Sequence, residues 1–275
     1  MADALVWPGL VLLGVAVGAY GTLIGAGGGF LLVPLLLLLY PGDPPELLTS
    51  ISLAAVFFNA LSGTIAYLRQ RRIDYLAANA FALATVPGAI LGALAVGLFP
   101  RDLFDAVFGV VLLAVAVFLT IRPTARMVQR VHRRGEVTRR LTDAHGDTYF
   151  YSYNIAVGIS FSVLVGFVSS LLGIGGGIIH VPLMVQALHF PAHIATATSH
   201  YVLTVSALTG TLVHVVNGSL DGGYLRAGAL ALGMVLGAQL GALLSLRIGG
   251  VAIIRLMAAA LALIAVRLLV TAAWS

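Results

Sequence analysis

Residues 25–34 read GAGGGFLLVP, and the run GIGGGIIHVP at 173–182 nearly repeats them. Each stretch places four glycines within five positions and ends on a proline, inside a chain that is otherwise strongly apolar. Because glycine costs about 1 kcal/mol per residue relative to alanine in a helix, each run predicts a break in a helix. The two breaks and the apolar segments around them decide the fold.

The composition is that of a membrane protein. The chain has 275 residues, of which 60% are hydrophobic and 9% charged, and its mean hydropathy is +1.05. No Asp, Glu, Lys or Arg occurs between Asp3 and Asp43, or between Asp147 and Asp221. Apolar spans longer than roughly 20 residues cross a bilayer as helices. We therefore expect an all-α polytopic membrane protein, and the absence of cysteine excludes thiol chemistry.

Apolar runs between turn signals predict five helices in each half of the chain. The first set lies near 5–24, 29–40, 46–68, 75–98 and 102–122, and the second near 151–172, 177–189, 194–216, 223–246 and 251–272. The predicted domains are a first transmembrane repeat at 1–122, a basic cytoplasmic linker at 123–149 and a second transmembrane repeat at 150–275.

The two halves share residues as well as pattern, which indicates a duplicated unit. The glycine runs are offset by 148 residues, and TSIS at 49–52 matches TATS at 196–199 with an offset of 147. In the next predicted helix, the matching residues are offset by 149: Tyr75, Gly88 and Gly92 correspond to Tyr224, Gly237 and Gly241. Duplication in an all-helical membrane protein is typical of transporters.

Charge predicts the orientation of the helices. The basic stretches at 69–72 and 122–140 are expected in the cytoplasm under the positive-inside rule, which leaves the loops at 41–46 and 99–102 outside. The arm at 29–40 spans only about 18 Å and is too short to cross, so we expect a helical hairpin with its tip inside the membrane. A hairpin makes the second half inverted; the rival reading, one crossing for each broken run, makes the halves parallel.

The glycine runs are candidate anion sites. Without side chains, they leave the N–H groups at the start of the following helix accessible, and that helix end carries a partial positive charge. The alternative is a small-residue seam for packing helices together. The predicted substrate-binding glycines are Gly27, Gly28 and Gly29 in the first run and Gly175, Gly176 and Gly177 in the second.

Hydroxyl and amide side chains follow each glycine run and suit an oxyanion that must be bound and then released. The candidates are Thr49, Ser50, Ser52 and Asn59 in the first half and Thr198, Ser199 and His200 in the second. For each of them the alternative is hydrogen bonding within or between helices. His180 and His200 are also candidates for proton coupling, since histidine titrates near neutral pH. No metal site is expected.

The duplicated G-x-GGG-hydrophobic-VP motif, the Thr-Ser cluster about twenty residues later and the Gly-rich span that follows resemble the sulfite exporter TauE/SafE family. The likeness covers the chain apart from residues 123–149. It implies an inner-membrane permease, usually an exporter, for small sulfur-containing anions such as sulfite, sulfoacetate or organosulfonates. His180 and His200 depart from the first copy, because Leu32 or Val33 and Leu53 stand in their places.

The leading hypothesis is a secondary transporter that works by alternating access in the bacterial inner membrane. The expected partners are a small sulfur oxyanion and the lipid bilayer, with a homodimer left open; no nucleic acid and no cofactor are expected. Two other functions stay open at this stage. One is an anion channel, and the other is an intramembrane hydrolase built on Ser199 and His200, although adjacent helix residues point about 100° apart.

Overall fold

A computed structural model describes residues 2–121 and 136–274 of the chain. In these ranges the main elements are helices, with one pair of strands between the halves. The first half contains α1 (Ala2–Ile24), α2 (Gly29–Leu39), α3 (Pro45–Arg69), α4 (Tyr75–Ala95) and α5 (Arg101–Ile121). Strands β1 (Val137–Thr142) and β2 (Thr148–Tyr153) follow. The second half contains α6 (Ile155–Leu171), α7 (Gly177–Gln186), α8 (Ala192–Val216), α9 (Tyr224–Leu244) and α10 (Gly250–Trp274).

The prediction of a polytopic helical membrane protein is confirmed. Among the described residues, α1, α3, α4, α8 and α9 are each long and apolar enough to cross a membrane, judged by length and composition. The helices α2 and α7, which follow the two glycine runs, are shorter, with 11 and 10 residues. Each of them continues into a full-length helix through a short turn.

The first helix of each half packs against the fourth helix of the other half. Helix α1 lies along α9, and the two run parallel, since successive contacts join Val11 to Gly233, Val15 to Gly237 and Ala19 to Gly241. Helix α6 lies along α4 in the same manner, with Val163 against Gly88 and Phe167 against Gly92. The matched glycines of the two halves therefore form matched seams, where backbones approach closely because no side chain intervenes.

Helices α3 and α8 cross at the centre of the molecule. They run antiparallel, because Leu53 lies against Gly210 while Gly63, farther along α3, lies against His200, nearer the start of α8. Helix α3 is flanked by α9, and α8 is flanked by α4. Helices α5 and α10 pack on each other at the side of this arrangement.

The segment between the halves contains two strands, which the expected all-α fold did not include. Strands β1 and β2 form an antiparallel hairpin in which Thr138 faces Ser152 and Leu141 faces Tyr149. Exposure alternates along β1, which is the period-two pattern of a strand. The hairpin extends to Tyr153, so the first helix of the second half begins at Ile155 rather than near 151. Residues 122–135, which carry much of the predicted basic linker, lie outside the described residues.

The hairpin is anchored to the turn between α3 and α4. Arg72 pairs with Asp143 at 3.0 Å, with side chains 6% and 0% exposed, and the Ala144 N–H donates to the Gln70 carbonyl. Asp74 caps α4 by accepting from the Leu76 N–H. The basic stretch at 69–72 and the hairpin therefore lie at the same end of the molecule.

The Asp74 carboxylate also receives the two buried tyrosine hydroxyls of β2. The Tyr151 and Tyr153 hydroxyls donate to its Oδ2 at 2.8 and 3.3 Å. Burial, followed by the charge of Asp74, raises the pKa of both phenols, so they remain protonated donors. Both rings pack on Phe190 in the turn between α7 and α8. The hairpin thus ties α4 to α8 at this end.

The opposite end is held by Arg101 and Arg226. Arg101 donates to the carbonyl oxygens of Leu37 and Asp43, which lie at the end of α2 and in the loop after it. Arg226 pairs with Asp43 at 2.5 Å and lies over the ring of Tyr40. The loops at 41–46 and 99–102 therefore share one end, as the charge pattern predicts.

Candidate functional site

Both glycine runs form bends that only glycine adopts readily. In each run three glycines have φ in the left-handed region, and the third of them is the residue immediately before the following helix. The φ values are 81°, 72° and 85° at Gly25, Gly27 and Gly28, and 71°, 77° and 100° at Gly173, Gly175 and Gly176. The predicted helix breaks are thus present at both places.

The two bends also lie against each other. A Cβ atom at Gly29 would fall 2.8 Å from the Cα of Ile174, and one at Gly177 would fall 2.8 Å from the Cα of Ala26. Real Cβ atoms do not approach backbone this closely, so neither glycine can gain a side chain without movement. The packing alternative is therefore part of the role of these glycines.

The helices after the bends begin with N–H groups that have no acceptor. In α2 the N–H groups of Leu31 and Leu32 donate to the Gly28 carbonyl, and in α7 those of Ile179 and His180 donate to the Gly176 carbonyl. Among the described residues, no backbone hydrogen bond is donated by the N–H groups of Gly28, Gly29 and Phe30, or by those of Gly176, Gly177 and Ile178. These six donors are buried at the positive ends of two helices.

Two of the predicted hydroxyls connect the halves. Ser52 Oγ donates to the Gly173 carbonyl at 2.8 Å, and Ser199 Oγ donates to the Gly25 carbonyl at 3.3 Å. Each serine therefore bonds to the first glycine of the other half's run. Both side chains are fully buried, so these bonds hold the two bends in register.

Three other predicted residues lie away from the helix starts. Thr49 donates to the Glu46 carbonyl in its own helix. Ser50 donates to the Leu47 carbonyl of the same helix at 2.7 Å and also lies 3.2 Å from the Ser219 carbonyl, in the turn before α9. Thr198 Oγ1 accepts from the Asp74 N–H at the hairpin end. Their bonds support helices and turns.

Asn59 and His200 belong to a network between α1, α3, α8 and α9. The Asn59 side chain donates to the carbonyls of Gly18 and Met234 and accepts from the Thr22 hydroxyl. His200 Nε2 lies 3.3 Å from Thr22 Oγ1. Ser199 and His200 therefore bond to different partners, and they do not form a nucleophile–base pair in this arrangement.

A narrow, closed crevice lies beside the second glycine run. We call it the Gly176 crevice; its lining residues are Gly175, Gly176, Gly177, His180, Ser199, Ser206, Thr85, Val165, Val202 and Leu203. The gaps between its lining atoms are too narrow to hold a water-sized sphere. A ligand can therefore enter only if the surrounding helices move.

Two polar side chains in this lining are incompletely paired. Ser206 is 1% exposed and its Oγ has no partner among the described residues. His180 is 2% exposed; its Nε2 lies 3.2 Å from Ser162 Oγ and its Nδ1 has no partner there. Buried polar atoms are almost always hydrogen-bonded, so unpaired atoms beside free N–H groups indicate a site for a polar ligand.

Sequence reasoning missed Thr85 and gave Ser206 no place in the site. Thr85 is buried in the Gly-rich span α4, three residues before Gly88, where its role depends on a contact with the other half. The available signal was the repeat itself, since Ser206 occupies the position of Asn59 with an offset of 147 residues. The predicted His180 does line the crevice, whereas His200 does not.

The fold and comparisons with known proteins define a multi-pass membrane transporter. The profile described as "Sulfite exporter TauE/SafE" matches residues 10–268. The chain belongs to the TauE/SafE family. It is 34% identical to the probable membrane transporter protein YunE of Bacillus subtilis over 94% of this chain and 96% of that one. It is 27% identical to YjnA of the same organism, also a probable membrane transporter protein, covering 86% of this chain and 90% of that one. No solved structure matches.

Proposed function

We propose that the protein is a secondary transporter that exports small sulfur-containing oxyanions such as sulfite, sulfoacetate or organosulfonates. The family profile supports the substrate class. The observation that carries the proposal is the set of acceptor-free N–H groups at the starts of α2 and α7, next to the unpaired Ser206 hydroxyl. Helix starts of this kind bind anions without a fixed positive charge, and neutral donors allow release after transport.

We also propose that the halves form an inverted repeat. Its support is the direction of packing: α1 runs parallel to α9, α9 runs parallel to α3, and α3 runs antiparallel to its counterpart α8. The register of α3 on α9 is seen where Asn59 bonds to Met234 and Gln70 bonds to Ala242. With residues 69–72 and 122–140 in the cytoplasm of a bacterial inner membrane, the loops at 41–46 and 217–223 face outward.

Single cysteines distinguish the inverted repeat from the parallel arrangement, since the natural chain has none. We expect Asp221→Cys to react with a membrane-impermeant maleimide from outside, and Gly249→Cys only after the membrane is opened. Gly42→Cys and Ala144→Cys are the outside and inside references. A parallel repeat would exchange the labelling of Asp221→Cys and Gly249→Cys.

Alternating access would require one end of the molecule to separate at a time. Toward the outer end the Ser50 hydroxyl, which donates to Leu47 in its own helix, lies 3.2 Å from the Ser219 carbonyl, and toward the inner end the hydroxyls of Thr64 and Thr204 lie 3.0 Å apart. Both contacts join α3 to the second half. The Gly176 crevice lies between them and is closed. The arrangement is suited to an occluded state from which either end opens.

His180 is the proposed point of proton coupling. Ser162 Oγ donates to the Gly158 carbonyl at 2.7 Å, so the remaining contact requires a proton on His180 Nε2. Nδ1 then carries a lone pair that can take up a proton when an anion arrives. His200 remains a second candidate, and a homodimer remains a prediction that these contacts do not address.

The proposal is tested by sulfite efflux from proteoliposomes. We expect saturable flux for the wild type and at least a tenfold loss for Gly176→Leu, since a side chain there would occupy the helix start; Gly228→Ala, which lies in open space on α9, is the control. Flux that increases linearly with concentration would favour a channel. Undiminished saturable flux in Gly176→Leu would contradict an anion site at this helix.

A further inference from the structure

The side chains beside the two glycine runs differ between the halves. The residues around the Gly176 crevice have counterparts in the first half, found with the repeat offsets of 147 to 149 residues. Thr85 corresponds to Met234, His180 to Leu32 and Ser206 to Asn59. In each of these three pairs the crevice residue is the smaller or more polar member, or the one with an unused polar atom.

In the first half these positions are filled and paired. Met234 is fully buried, and its Cε lies 3.0 Å from the place where a Cβ of Gly28 would sit. Both amide hydrogens of Asn59 are hydrogen-bonded: its Nδ2 donates to the Gly18 carbonyl at 3.2 Å and to the Met234 carbonyl at 3.1 Å. A long apolar side chain and a satisfied amide leave an anion neither room nor a free side-chain donor beside Gly28.

In the second half the same positions carry a shorter side chain and an unpaired donor. Thr85 is shorter than methionine, and its hydroxyl donates back to the Ala82 carbonyl of its own helix at 2.7 Å. Ser206 Oγ is unpaired and buried in the crevice lining. The nearest atoms to a Cβ of Gly176 would be side-chain atoms of Ser169 and Val165, at 3.0 Å or more.

We propose that only the second half binds the transported anion, in the Gly176 crevice, and that Met234 blocks the equivalent position in the first half. The N–H groups of Gly176, Gly177 and Ile178 would bind the anion's oxygens, with the Ser206 hydroxyl as the side-chain donor. Thr85 is then a specificity-determining residue, since the side chain at its position sets the room available. This inference rests on the proposed anion transport and predicts one anion per chain.

The size of the crevice limits the ligand. In this closed arrangement the crevice has no room for a water-sized sphere, so even a compact oxyanion requires α4 to separate from α8, and a longer organic substituent requires a larger separation. Inorganic sulfite and sulfate are therefore the probes of choice, and a larger sulfonate should bind more weakly.

The test is calorimetric titration of the purified detergent-solubilised protein with sulfite, and separately with sulfate. We expect one site per chain for the wild type. Thr85→Met, which gives the second half the side chain of the first, should weaken binding at least tenfold. Ser206→Ala should weaken it about three- to tenfold, as expected for one hydrogen bond.

Met234→Thr is the matched control, because it makes the reciprocal change in the first half. It should leave the wild-type Kd within about twofold, and the melting temperature of every unliganded variant shows whether it is folded. Equal loss of affinity in Met234→Thr and Thr85→Met, or two sites in the wild type, would overturn the assignment. Absence of binding in the wild type would contradict the proposed function itself, whereas wild-type binding that Thr85→Met leaves unchanged would remove only this inference.

Discussion

At the scale of single residues, the reciprocal serines carry a structural role that their sequence context left open. A hydroxyl near a glycine run is equally suited to hold a ligand or to hold backbone. Ser52 and Ser199 do the latter, since each bonds to a carbonyl of the opposite glycine run. The free donors near the crevice are instead backbone N–H groups and Ser206.

The two serine bonds differ in length, which predicts unequal effects. Ser52→Ala would leave the buried Gly173 carbonyl without its 2.8 Å bond, whereas Ser199→Ala removes a bond of 3.3 Å. We expect Ser52→Ala to lower the free energy of unfolding by about 1 kcal/mol and Ser199→Ala by less. Thermal unfolding in one detergent compares them; the reverse ranking would show that distance does not govern these bonds.

At the scale of elements, the sequence predicted the helices well and the contacts between them poorly. Predicted and observed helices agree within a few residues because apolar length, Asp74 and Pro45 at helix starts, and the glycine runs are local signals. The hairpin was missed because both strands are short and β1 begins within the basic stretch at 122–140. The proposed block of the first-half site by Met234 was also missed. Met234 lies beside Gly28 in space but more than 200 residues from it in the sequence.

The seam between α1 and α9 predicts a contrast between two glycines of one helix. A methyl group at Gly237 would overlap the Val15 carbonyl, whereas Gly228 has open space around it. We expect Gly237→Ala to destabilise the protein by at least about 2 kcal/mol. Gly228→Ala should be neutral or stabilise by up to about 1 kcal/mol, because alanine favours helix. Chemical or thermal unfolding of both variants measures the difference, and similar values would argue against a close seam.

The hairpin depends on the buried Arg72–Asp143 pair. Arg72→Ala leaves the Asp143 carboxylate buried without its partner, and breaking such a pair costs about 3–5 kcal/mol. We expect faster hydrogen exchange across residues 137–153 while the central helices stay protected. Asp143→Asn keeps an oxygen for the N–H groups of His145 and Asp147, so its effect should be smaller. Unchanged exchange in Arg72→Ala would show that the tyrosines hold the hairpin alone.

The same anchor should respond to acid. The pKa of Asp143 is lowered in the folded protein. Burial alone would raise this pKa, but burial is outweighed by the hydrogen bond from Arg72, by those from the His145 and Asp147 N–H groups and by the charge of Arg72. A lowered pKa contributes stability above the unfolded value of about 3.9, and this stability is lost as pH falls through the folded value. The protection of the hairpin amides from hydrogen exchange should therefore be constant near neutral pH and decline below about pH 4. Asp143→Asn should remove that decline, and a decline that persists would assign it to another group.

At the scale of the whole molecule, each half is completed by the other. The first helix of each half packs along the fourth helix of its partner, and each glycine run is held by the partner's serine. The halves share a pattern of packing but not the same chemistry, because only the second half combines the crevice with His180, Thr85 and Ser206. In the arrangement that we propose, the second copy binds the anion and the first copy supports the second by packing against it.

This exchange of helices has a consequence for synthesis. Val15 of α1 meets Gly237 of α9, so the ribosome must add more than 200 residues before the first helix finds its partner. At about 5–20 residues per second this takes roughly 10–45 s, during which α1 lies in the bilayer with its seam uncovered. A chain that stops before α9 would insert but leave α1 unpaired, and it becomes a natural target for membrane quality control.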